Sequence, residues 1–248
     1  MKIDYDELAD SYEETRNFEP IIYEILSYLL HPTKEDRILD FGCGTGNYLK
    51  KFSVDYDASI YGVEPSPHMR RIAQKKISAD HILDGNHLHI PFANNQFNKI
   101  YCTDVIHHIE QLDLCFKNLL HTAQTGAKFC ICTESSQQLA EKYWIKYFPS
   151  IVQVDLKRFH QIESIEQTGE AAGWIYKTTL QTESTVLDSI SPNFMERVRK
   201  KTLSVLNLIP DEEYEKGISR MDKDYQNKMV FRQQEGYTFL LFEKGMPL

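Results

Sequence analysis

The chain has 248 residues, 42% of them apolar and 26% charged, which is long enough for one large domain with an elaboration and for a sizeable core. Its 28 basic and 36 acidic residues leave a net charge of −8, which repels a phosphate backbone, so nucleic acid is not an expected partner. No apolar run approaches the roughly 18 residues a membrane span needs, and the acidic start Met1-Lys-Ile-Asp-Tyr-Asp-Glu has no basic-then-apolar signal pattern; the expectation is a soluble, cytoplasmic protein.

Tyr5, Leu8, Ala9 and Tyr12 recur at helical spacing, predicting an amphipathic helix from Tyr5 to Arg16. A second helix is expected from Pro20 to Leu30, with Pro20 suited to a first helical position. Arg37 to Phe41 then reads as a strand that runs into glycines at 42, 44 and 46 and a helix start. A strand over Ser59–Val63 ends at Glu64-Pro65, and Ser66-Pro67 opens a helix to about Lys76, with Met69, Ile72, Ala73 and Ile77 facing inward. Strands follow at His81–Asp84, Phe97–Cys102 and Lys128–Thr133, with a helix near Leu112–His121. Such alternation is the pattern of a parallel sheet covered by helices on both faces. After Thr133 the expected elements are helices over Gln137–Phe148 and Ser164–Ala172 and late strands over Trp174–Leu180 and Gly236–Phe242. Between those strands lies a helical insertion, Pro192–Ile209 and Asp211–Tyr225. The domain reading is a helical cover over 1–35, a binding core over 36–135, and a remainder over 136–248 that completes the sheet and carries inserted helices at about 190–234. Cys43, Cys102, Cys115, Cys130 and Cys132 sit in apolar, strand-like surroundings without a C-x-x-C spacing, so reduced core thiols are expected and no metal site.

In an open α/β sheet the ligand lies beyond the carboxyl ends of the strands, so the residues that end strands carry the chemistry. Gly42-x-Gly44-x-Gly46 is neither the dinucleotide fingerprint nor a phosphate loop. Glu64, some 20 residues beyond that turn, is placed to accept from both hydroxyls of a ribose. The third and fourth strands lead into Asp84-Gly-Asn-His87 and into Thr103-Asp104 and His107-His108.

Taken together, Asp40-Phe-Gly-Cys-Gly-Thr-Gly46, Gly62-Val-Glu-Pro-Ser-Pro-His-Met69, Gly85-Asn-His-Leu-His-Ile-Pro-Phe92 and Gln96-Phe-Asn-Lys-Ile100 resemble the successive motifs of class I S-adenosylmethionine-dependent methyltransferases. The similarity, over about Ile38–Thr133, is to the small-molecule branch that includes ubiquinone and menaquinone biosynthesis enzymes. It implies a Rossmann-like, mostly parallel seven-stranded sheet and S-adenosylmethionine as cofactor. In that resemblance Gly42, Cys43, Gly44, Gly46 and Asn47 form the turn against the methionine part, and Asp40 meets its amino group. Glu64 and Pro65 lie at the ribose, and Met69 packs on adenine. Gly85, Asn86, His87 and Thr103 complete the pocket. Asn86 departs from the family's usual acid, and Asn98 from its usual Phe-Asp. Tyr12 and Arg16 would fold over the cofactor carboxylate.

A sulfonium donor is already activated, so the protein needs chiefly to align an acceptor, with a base only where the acceptor must lose a proton. His107 and His108 are the candidate bases and Asp104 the orienting or cation-binding acid. Tyr5, Tyr143, Trp144, Phe148, Phe159 and His160 supply aromatic surface for a small methyl acceptor. The expected function is methyl transfer to an O, N or C atom of a small metabolite. An RNA or protein methyltransferase is disfavoured because Cys102-Thr-Asp-Val-Ile-His107 is not an Asn-Pro-Pro-Tyr motif. A non-catalytic S-adenosylmethionine-binding regulator is the third reading.

Overall fold

The computed structural model describes residues 6, 9, 13–15 and 19–246. Tyr5, Tyr12 and Arg16 lie outside them. In chain order the elements are α1 (Pro20–Leu30), β1 (Arg37–Phe41), α2 (Asn47–Tyr56), β2 (Ser59–Val63), α3 (Pro67–Lys76), β3 (Ile82–Leu83), β4 (Phe97–Thr103), α4 (Leu112–Thr122) and β5 (Ala123–Thr133). They continue with α5 (Ser136–Ala140), α6 (Ser150–Arg158), α7 (Ile162–Ala171), β6 (Trp174–Ser189), α8 (Pro192–Arg199), α9 (Asp211–Gln226) and β7 (Val230–Lys244).

The sheet has seven strands in the order β3-β2-β1-β4-β5-β7-β6. β1 pairs in parallel with both β2 and β4, β4 with β5, and β7 runs antiparallel to β5. The order reverses direction between β1 and β4, so the crevice past their carboxyl ends is the topological switch point where ligands bind. β1, buried from Ile38 to Phe41, is a continuous apolar run broken only by Asp40, as suits a strand covered on both faces.

Contacts divide the chain into two units. The larger comprises 18–133, 160–180 and 238–248; the other comprises 134–159, 181–237 and the described residues below 18. The larger unit packs Leu39, Phe41, Ile100, Phe116, Phe129 and Trp174 into one core, within which the Trp174 indole N–H donates to the Phe116 carbonyl at 3.0 Å. All five cysteines are free and buried, and burial pushes the thiols of Cys102, Cys115 and Cys130 up from their ordinary value.

Two features differ from expectation. The helix expected over Gln137–Phe148 is broken. A capping box, Ser135 with Gln138, starts α5, which ends at Ala140, and Tyr143–Lys146 turns as a 3₁₀ helix before Pro149 caps α6. Trp144, Tyr147 and Phe148 are buried in the core of the second unit, which has to bury its own apolar surface. The late strands also run much longer than expected, through 189 and back to 230.

Asn98 holds the start of β1. Its Oδ1 accepts from the Arg37 N–H at 2.9 Å and its Nδ2 donates to Asp36 Oδ1 at 2.6 Å, while Asp36 Oδ2 accepts from the Thr33 N–H at 2.7 Å. Asp36 thus supplies the carboxylate that the Phe-Asp pattern would have placed at position 98.

Candidate functional site

The turn after β1 is tied to β2 by the Gly42 and Cys43 N–H groups, both donating to the Val63 carbonyl at 2.8 and 3.0 Å. The glycines serve different ends. Gly42 has φ +80°, and a Cβ there would lie 2.4 Å from Val105 Cγ2, so it is required by packing as well as by conformation. Gly44 has φ +54°, and among the described residues nothing lies within 4 Å of where its Cβ would stand. Cys43 turns inward against Gly62, where an added Cβ would meet its Sγ at 2.6 Å. Asn47, first residue of α2, accepts from Lys76 Nζ through Oδ1 at 2.5 Å and is committed to joining α2 to α3.

Glu64, 6% exposed at the end of β2, accepts from the Gly44 N–H through Oε2 at 2.9 Å and from the Ser66 N–H through Oε1 at 2.8 Å. Through these two N–H groups the carboxylate ties the turn after β1 to the start of α3. Ser66 caps α3 by accepting from the Met69 N–H at 3.2 Å, which fixes the buried Met69 at the helix start. Pro65 is exposed. Arg70, which sequence reasoning missed, clamps the ends of β2 and β3: its Nη1 donates to the Glu64 carbonyl at 2.7 Å and to Asp84 Oδ1 at 3.1 Å.

Asp40 is 2% exposed, and its Oδ1 has no hydrogen-bond partner among the described residues. Burial, aided by the nearby Glu64 charge, pushes its carboxyl from 3.8 up to about 8, against a lowering by the Tyr101 hydroxyl. A buried carboxylate oxygen without a donor is a group built to receive one from a ligand.

Beyond β3, Gly85 is buried under Pro91 and the His89 carbonyl. Asn86 closes a tight loop, its Oδ1 accepting from the N–H groups of Leu88 at 2.8 Å and His89 at 3.3 Å. The Asn86 carbonyl is thus engaged by its own loop, so a contact of residue 86 with an adenine amino group would have to share that oxygen. The His87 carbonyl accepts from Asn118 Nδ2 at 2.8 Å. Thr103 ends β4 half-buried. Asp104 follows with φ +58°, a left-handed backbone held by its N–H on the Cys132 carbonyl at 3.4 Å. His107 and His108 share a one-turn 3₁₀ helix, Ile106–His108, with ring centroids 4.0 Å apart; His107 is half-buried and His108 exposed.

The aromatic candidates divide. Trp144 (6% exposed) and Phe148 (0%) are interior to the second unit, where Phe148 stacks on Tyr214 at 6.1 Å. Tyr143 and Phe159 are half-buried in that unit. His160, in the larger unit, sets Nε2 2.9 Å from the Ile109 carbonyl and so packs the loop after the histidine pair.

A glycine turn between a buried acid and a second acid at the switch point of a 3-2-1-4-5-7-6 sheet is the architecture of a class I S-adenosylmethionine-dependent methyltransferase fold. The Methyltransferase domain family model matches residues 39–131. An uncharacterised methyltransferase of Anoxybacillus flavithermus is 40% identical over 72 residues, 29% of this chain and 34% of that protein. The chain spans between about a third and about a half of the length of such curated relatives. A protein of Anabaena variabilis assigned as a methyltransferase of an antibiotic biosynthesis pathway shares the fold with a TM-score of 0.71 at 18% identity, covering 93% of this chain and 99% of that one. Phosphoethanolamine N-methyltransferase 2 of Haemonchus contortus, solved with phosphomonomethylethanolamine and S-adenosylhomocysteine, gives 0.59 at 17% identity, covering 97% of this chain and 58% of that one.

Proposed function

We propose that the chain is an enzyme that binds S-adenosylmethionine at the turn after β1 and methylates a small metabolite. The observation that carries this reading is the turn itself: Gly44 is bare on its open side, its N–H is held by Glu64, and the nearby Asp40 has a buried oxygen in want of a donor. Those three features fit an adenosyl amino acid. Asp40 would accept from the ammonium, Glu64 at the end of β2 would accept from the ribose hydroxyls, and the backbone at Gly44 would pass against the methionine part. Met69 supplies soft apolar surface for the base.

When bound, the cofactor supplies an activated methyl group on sulfur. The chain's own residues hold and orient; none need form a covalent bond. Where the acceptor nucleophile carries a proton, His107 or His108 takes it, and Asp104 at the end of β4 orients the acceptor or balances its charge. Tyr143, Phe159 and His160 are kept as acceptor-binding candidates, while Trp144 and Phe148 are assigned to the packing of their unit. The net charge of −8 favours a small molecule over RNA. Among the described residues no helix is long and apolar enough to cross a membrane, and in this reading the enzyme is cytoplasmic, where its buried cysteines stay reduced.

Calorimetry with S-adenosylhomocysteine tests the cofactor reading: heat of binding is expected, and none would overturn it. Glu64→Ala should abolish binding through both the ribose contact and the released turn. A metabolite screen with methyl-labelled cofactor tests turnover; binding without any transfer would favour the regulator over the enzyme.

A further inference from the structure

Asp40 on β1 and Tyr101 on β4 are paired positions of a parallel ladder. Such positions place both side chains on the same face of the sheet. Tyr101 is fully buried, with its ring 5.2 Å from that of Phe52, which in turn lies 4.9 Å from Tyr23. Neither the Tyr101 hydroxyl nor Asp40 Oδ1 has a well-formed hydrogen bond among the described residues. The two groups are nonetheless near enough that the hydroxyl favours the charged carboxylate. A buried phenol without a partner costs stability, and phenylalanine would fill the same space without that cost. The hydroxyl therefore needs an explanation outside the packing.

We propose that Tyr101 is a positioning residue for ammonium recognition: once a ligand ammonium reaches Asp40, the Tyr101 hydroxyl donates to that carboxylate and helps hold it in its charged form, oriented toward the amino end of the bound ligand. This rests on the reading that the turn after β1 takes S-adenosylmethionine. The groups acting on Asp40 are Tyr101 from β4 and Glu64 from the end of β2. Asp40 acts in turn on Cys43 of the turn and Cys102 of β4, and Tyr48 of α2 acts on Tyr101. No cation is among the described groups acting on Asp40. In this dry, anionic setting the carboxyl holds its proton up to about pH 8. An entering ammonium displaces that proton to solvent, so binding releases a proton at neutral pH and tightens as pH rises toward that value. Removing the hydroxyl leaves Asp40 harder to ionise and moves the rise to higher pH.

The test is Tyr101→Phe, titrated calorimetrically with S-adenosylhomocysteine from about pH 6.5 to about pH 8.5 beside the wild type, with Tm measured on both. Expected is a Kd raised about three- to tenfold at neutral pH, the size of one hydrogen bond to the carboxylate, with the gap narrowing at the alkaline end. The Tm should hold or rise, because an unpaired hydroxyl has been removed. In an Asp40→Asn background the same substitution should leave Kd unchanged, since the partner it acts through is gone. Superimposed Kd profiles for wild type and variant would overturn the inference while leaving the cofactor reading intact. So would equal weakening at every pH together with a lower Tm, the mark of a purely structural residue. Wild type without heat overturns the cofactor reading, and this inference with it.

Discussion

Asp40 also makes the stability of the free chain depend on pH in a direction opposite to most carboxylates. Its carboxyl titrates at about 8 in the folded chain against 3.8 ordinarily, so between those values the folded state holds a proton that the unfolded state has lost. Stability is then fully present below about pH 4 and falls as pH rises toward 8, by about 1.4 kcal/mol for each pH step. From about pH 5 to about pH 7.5 the loss is about 3 kcal/mol, with a ceiling near 6 kcal/mol over the full range. For a chain of this size that corresponds to about 6–12 °C in Tm. Asp40→Asn isolates the effect, because a buried amide carries a fixed cost that does not change with pH. Melting curves of wild type and Asp40→Asn at the two pH values should show the variant gaining on the wild type by about that amount at the higher pH. Parallel pH dependences would refute the buried, proton-holding carboxyl and, with it, the account of why an ammonium is needed there.

Four further outcomes follow from the geometry. Gly44→Ala places a methyl in open space at φ +54°, costing about 1–2 kcal/mol of backbone strain while obstructing the ligand; it should melt slightly lower and give no heat with S-adenosylhomocysteine. Gly42→Ala meets Val105 and should melt lower still, by an additional 1–3 kcal/mol or about that; wild-type affinity in Gly44→Ala would show that the ligand lies elsewhere. Asn86→Asp replaces the amide nitrogen by a second acceptor while the first stays with the Leu88 and His89 N–H groups, and should lower the Kd by about two- to tenfold; an unchanged Kd would remove residue 86 from the adenine contact. Replacing His107 and His108 together by alanine should cut kcat by about 10²-fold with the S-adenosylhomocysteine Kd within about twofold, and an undiminished kcat would remove the pair from proton transfer.

The binding half of the molecule was readable because its residues are set by local and periodic demands. A strand buried on both faces must be an apolar run, so β1 and the end of β2 stood out, and a turn that must take φ > 0 declares itself by Gly42 and Gly44. Glu64 followed from spacing alone. Tyr101 did not, because within β4 an aromatic residue reads as core, and only the register that sets it beside Asp40 exposes its polar end. The loop bonds of Asn86 were hidden for a related reason: a side-chain carbonyl in a loop has backbone N–H groups two and three residues away as competitors for any ligand.

Beyond Thr133 the signals weaken for physical causes. The outer length of β6, Thr-Glu-Ser-Thr-Val-Leu-Asp-Ser, is exposed at nearly every position, so no burial alternation marks it as strand; backbone pairing sustains it where apolar burial does not. The sequence suggests a helix over Gln137–Phe148 whose Tyr143, Trp144 and Phe148 offer aromatic surface for an acceptor. Six residues hold Tyr143, Trp144, Tyr147 and Phe148, and the second unit spends Trp144, Tyr147 and Phe148 on its own core with Met195, Val198, Tyr214 and Met221. That unit obtains its packing from bulky side chains, and Trp144, Tyr147 and Phe148, spaced i, i+3 and i+4, all reach its interior although the chain there is not one continuous α-helix. Aromatic content therefore measures here how the unit is held together, and the burial of Trp144 and Phe148 is accounted for by packing before any ligand is invoked.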